Sequence, residues 1–133
     1  MAHSTYSMSR ELPGTEYQEA VELVTGLLAE EGFGVLTEID VRATLKKKLD
    51  VDFRPYVILG ACNPPLAHRA LSAEPDLGVL LPCNVVVSER DGGGSVVSAM
   101  DPVAAFGLID NPDVQPVAAE VRERMVRVLD RLG

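Results

Sequence analysis

Asp91-Gly92-Gly93-Gly94 stands between two apolar stretches, Gly78 to Ser88 and Ser95 to Met100, and this arrangement does most to limit the fold. A glycine run tolerates the positive φ angles that a tight reversal needs, so the two stretches are expected to pair as an antiparallel hairpin. The run is not a phosphate cradle, because a cradle leads from a strand into a helix and this one leads from strand to strand. Pro82 interrupts the first stretch. Without an amide proton it cannot complete a ladder, so a bulge or an unpaired position is expected beside Cys83.

The rest of the chain divides at similar punctuation. Ser4 to Leu12 reads as a strand ended by Pro13-Gly14, and Thr15-Glu16-Tyr17-Gln18 reads as a capping box at a helix start. That helix is expected to run to about Glu31, with Ala20, Val24, Leu27 and Leu28 on its buried face and Gly32 just past its end. Gly34 to Ile39 is a strand candidate. Asp40 is expected to cap a short helix that turns Val41, Leu45 and Leu49 inward and leaves Lys46, Lys47 and Lys48 in solvent. The short apolar run Tyr56-Val57-Ile58-Leu59, bounded by breakers, predicts a buried strand from Pro55 to Cys62. Asn63 then caps a helix whose first turn accepts Pro64 and Pro65. Asp101-Pro102 opens another short helix, and Val117, Val121, Met125, Val128 and Leu132 trace a long terminal one after Asn111-Pro112.

The predicted order is β-α-β-α-β-α-β-β-α-α. It implies an α+β fold in which helices cover one mixed sheet. At 133 residues and 47% hydrophobic content, residues 1–133 suit a single domain with a single core. Twenty acidic against twelve basic residues give a net charge of -8, which repels phosphate backbones and anionic lipid and argues against nucleic-acid binding. No basic-apolar leader opens the sequence and no run nears the roughly 20 apolar residues of a membrane span, so a cytoplasmic protein with no membrane partner is expected.

Chemistry centres on the two cysteines. Each precedes an asparagine and has a proline nearby, in Ala61-Cys62-Asn63-Pro64-Pro65 and Pro82-Cys83-Asn84. Cys62, Asn63, Cys83 and Asn84 are therefore the candidate ligand-binding set, and the leading expectation is a binding or accessory module for a small molecule. A second reading is thiol-dependent redox or sulfur handling, with Cys62 as nucleophile at a helix start and Cys83 as resolving partner. A third is metal handling by Cys62, His68 and Cys83, a two-thiol, one-imidazole set suited to zinc or cuprous copper. Both cysteines also fit the role of small buried hydrophobes. If the third and fourth strands are neighbours, joined by a right-handed crossover, the two thiols approach each other. Glu38 and Asp52 are candidate acids or bases, and His3 belongs to the terminus.

Four stretches carry a resemblance: Glu31 to Asp40 (EGFGVLTEID), Tyr56 to Pro64 (YVILGACNP), Leu80 to Val85 (LPCNV within it) and Ala99-Met100-Asp101-Pro102. Together they resemble a prokaryotic family of α+β proteins, the domain of unknown function 302. The likeness covers nearly the whole chain. It implies a small α+β fold and a homodimer, and it supplies no activity, cofactor or catalytic residue.

Overall fold

The computed structural model describes residues 4–133, so His3 lies outside it. Its centre is built by alternation. Val57, Leu59 and Ala61 of β3 (Tyr56–Cys62), Cys83, Val85 and Val87 of β4 (Cys83–Glu89), and Val97 and Ala99 of β5 (Ser95–Met100) are all buried. The register sets Ala61 beside Cys83, Leu59 beside Val85 and Val87 beside Val97, so these residues share one face. With β1 (Ser7–Leu12) and β2 (Gly34–Asp40) at the edges, the sheet order is β1-β5-β4-β3-β2.

The α+β class and the helix-covered sheet agree with the sequence reading. The mixed sheet does not, because all four strand pairs are antiparallel. A crossover would carry the chain to the opposite end of the sheet. Instead, α3 (Pro64–Ala73) and a 3-10 helix (Pro75–Leu80) return it to the end it left, with Cys83 opposite Ala61. The expected strand from Gly78 is thus a 3-10 turn, and β4 begins only at Cys83, immediately after the cis Leu81–Pro82 bond. The ladder starts past the residue that has no amide to give. No bulge forms beside Cys83, and the irregularity lies in β2 between Val35 and Thr37.

The buried residues form one core. From α1 (Tyr17–Glu30) come Ala20, Val24, Leu27 and Leu28, and from α5 (Gln115–Asp130) come Val117, Ala118, Val121, Met125, Val128 and Leu129. The capping box does not form: Glu16 is the N-cap without a side-chain bond, and the Thr15 carbonyl accepts from Ser95 Oγ at 2.9 Å. The other end matches its signal, with Gly32 at φ 85° and the Phe33 amide donating to the Leu28 carbonyl at 2.9 Å. Asp101 caps α4 (Pro102–Phe106) by accepting from the Val103 amide at 3.0 Å.

In α2 (Val41–Leu49), Asp40 caps as expected, its Oδ1 accepting from the Ala43 amide at 2.9 Å. Its apolar residues were expected inward, yet none is buried and Leu49 is 65% exposed. This helix fills the β2–β3 connection beside an edge strand, where little surface remains to cover it. Among the described residues, no helix is long and apolar enough to cross a membrane.

Candidate functional site

A cavity of about 350 Å³ opens where β3 and β4 meet α3. Cys62, Asn63 and Cys83 line it, together with Leu66 and Ala67 of α3, Phe106 of α4, and Val117 and Val121 of α5. Leu36, Thr37, Leu81 and Pro82 also contribute to the wall. Among the described residues, none that lines it is charged.

Local structure explains why these groups converge. The apolar run of β3 ends at Cys62, where Asn63 turns the chain into α3 by accepting from the Leu66 amide at 3.3 Å. The Asn63 amide also reaches the Glu31 carbonyl at 3.5 Å, a long contact that Arg124 reinforces by donating to the same oxygen at 3.1 Å. A Cβ on Gly32 would stand 2.9 Å from Asn63 Nδ2, so the end of α1 and the start of α3 are held close. On the next turn of the wall, Pro82 and Thr37 crowd over Gly60. A Cβ there would lie 2.8 Å from Pro82 Cγ and would also strike Thr37 Oγ1. Glycine at 60 therefore lets the edge strand and the Pro82 corner meet across β3.

Both thiols are free, Cys62 half-buried and Cys83 only 5% exposed. They are brought to one cavity, as the sequence reading required, but not into equivalent positions. Cys83 is level with Ala61, and strand alternation sets Cys62 one residue out of phase with that pair. Burial, and secondarily the neighbouring Cys62, push the Cys83 thiol up to about 11.

A raised thiol pKa has a definite stability consequence. The folded state holds the Cys83 proton more tightly than the unfolded state, whose thiol titrates near 9.0. Its contribution is therefore fully present below pH 9.0 and is lost as pH rises towards about 11. Urea titrations at pH 7.5 and 10.5 should show a loss on the order of 2 kcal/mol that Cys83→Ala does not share. An equal decline in both proteins would assign the effect to other groups.

Two members of the sequence-derived sets stand apart. Asn84 is exposed, opposite Gly60, and does not border the cavity, because it is one residue out of phase with Cys83. His68 is exposed on α3 and also lies off the cavity wall. The trio Cys62, His68 and Cys83 does not assemble: among the described residues, no three His, Cys, Asp or Glu side chains gather closely enough to hold a metal. The helix faces its inner, apolar side to the cavity through Leu66 and Ala70 and turns His68 away. Glu38 is exposed as well, and Asp52 is a surface partner of Lys46 at 3.4 Å.

Thr37, Phe106, Val117 and Val121 were not foreseen as site residues. The apolar ones carry the same periodic signal as core residues, and Thr37 has no local signal at all.

The comparisons agree with this architecture. The chain resembles a crystal structure of an uncharacterised conserved DUF302 protein from Bacillus stearothermophilus, with a TM-score of 0.89 and 31% identity over 98% of this chain and 100% of that one. A search of curated proteins finds no match. The profile of the domain of unknown function DUF302 matches residues 8–132, and the chain belongs to that family.

Proposed function

We propose that the protein is a cytoplasmic binding or accessory module that holds a small molecule in the cavity beside Cys62, Asn63 and Cys83. One observation carries this reading: an uncharged cavity within the roughly 300–1,000 Å³ range of small-molecule sites gathers residues from β3, α3, α4 and α5. Its walls are supplied by packed elements rather than by a loose loop, which favours a preformed site.

The thiol-redox reading has less support. A resolving thiol must ionise to attack, and Cys83, with its pKa about 11, is almost wholly protonated at neutral pH. A disulfide also needs two Cβ atoms directed at each other, which strand alternation at Cys62 and Cys83 opposes.

A homodimer is a companion proposal. The sheet face opposite the core presents Ile58, Val86 and Val96, and at its positions β3, β4 and β5 carry no charge. A neutral patch can face its own copy across a two-fold axis without repulsion.

Native mass spectrometry of gently purified, untagged protein tests both proposals. A dimer mass is expected, with an additional mass per chain that disappears on denaturation. A monomer at micromolar concentration would refute the dimer. A mass equal to that of the bare chain, unchanged after incubation with cell extract, would refute the binding reading.

A further inference from the structure

Resting on that binding reading, we propose that the cavity takes an uncharged, largely apolar molecule, typified by a straight-chain alcohol. The molecule packs against Leu66, Phe106 and Val121.

Charge is excluded by the walls. No lining side chain is ionic, and a charge brought out of water would have no counter-charge inside. Arg69 and Arg124 border a different cleft, which shares Asn63 and Leu66 with this wall, and both are already engaged. Arg124 is paired with Glu120 at 3.2 Å, and Arg69 reaches the same carboxylate at 3.6 Å. An acid would find neither of them available.

The wall offers little to a polar group. The Asn63 carbonyl oxygen accepts from Leu66 and its Nδ2 is directed at the Glu31 carbonyl. The Thr37 hydroxyl lies over Gly60 beside Pro82, on the sheet face that Asn84 shares, and is turned from Leu66, Phe106 and Val121. Leu36, 67% exposed, gives an alkyl chain an apolar path inward. The volume sets the size. Dividing about 350 Å³ by the ~30 Å³ of a water-sized group leaves room for about a dozen non-hydrogen atoms.

The probes are 1-octanol, octanoate and octylammonium, matched in length and differing in charge, with binding followed by protein amide shifts in NMR spectra. Octanol is expected to bind at least ~10-fold more tightly than either ion. Thr37→Val, which alters a hydroxyl turned from the cavity, should leave octanol binding unchanged. Ala67→Leu, which fills the cavity from α3, should abolish binding.

Equal affinity for octanol and octanoate would overturn the neutral-ligand class while leaving the binding reading intact. Octanol binding that survives Ala67→Leu would overturn the assignment to this cavity. Absence of binding by all three probes would overturn the class if native mass spectrometry still shows a retained molecule. The same absence with a bare mass would overturn the binding reading as well.

Discussion

Phe106→Ala should lower stability by about 3–5 kcal/mol and widen the cavity at the same time. The ring is 2% exposed at the end of α4, where it is both a core residue and part of the cavity wall. Truncation removes apolar contacts with the core, and the surrounding sheet and α5 are too well packed to close the gap. Urea denaturation at neutral pH is the direct check, with a fall in Tm on the order of 10 °C or more expected in parallel. A loss below about 1 kcal/mol would mean that the ring is not packed as described, since surface substitutions fall in that range.

Gly94→Ala should cost about 2–4 kcal/mol, for two separable reasons. The residue has φ 80°, a conformation that a side chain disfavours. A Cβ would also stand 2.6 Å from Pro13 Cα and from the Pro13 carbonyl oxygen, and would strike the Leu12 carbonyl. These are backbone atoms and cannot swing aside. Gly93 provides the comparison: its φ is 108°, yet a Cβ there meets nothing. Gly93→Ala should therefore show the conformational penalty alone, roughly 1–2 kcal/mol. Equal denaturation midpoints for the two variants would refute the steric part of the explanation.

Legibility in the sequence followed the range of the interaction. Asp40, Asn63 and Asp101 cap the helices expected of them, because a cap is a contact between residues two or three apart. Gly32 and the Gly92 to Gly94 loop were equally legible, since a positive φ is a property of one residue and its neighbours. Thr15 is instead tied to a residue eighty positions away, Ser95, whose Oγ donates to its carbonyl, and the helix takes Glu16 as its N-cap. The direction of β4 was unreadable for a similar reason. Whether α3 returns the chain or carries it across the sheet is a matter of tertiary packing, where α3 meets both the 3-10 helix and α5, and no local pattern encodes that choice.

The site divides along the same line. The Cys-Asn pairs pointed to Cys62, Asn63 and Cys83, while Asn84 drew suspicion only through repetition of the motif. Strand alternation separates Cys83 from Asn84, just as it separates Ala61 from Cys62. Five of the seventeen residues of the cavity wall come from β2, α4 and α5, segments whose apolar pattern is that of any core. Their meeting at the Cys62 end of the sheet is a tertiary event.

The strand order also fixes a schedule. Strands β2, β3, β4 and β5 lie side by side in the order in which they are synthesised, so each can pair with the one made just before it. The first strand is the exception: Ser7 faces Met100 and Leu12 faces Ser95, across a loop that contains most of the chain. Closing so long a loop is entropically unfavourable until the intervening segments are already ordered. On a ribosome, the earliest strand to emerge must therefore wait for β5 before it has a partner. The cavity walls supplied by α4 and α5 arrive later still, so a nascent chain acquires most of its sheet before the cavity has all its walls.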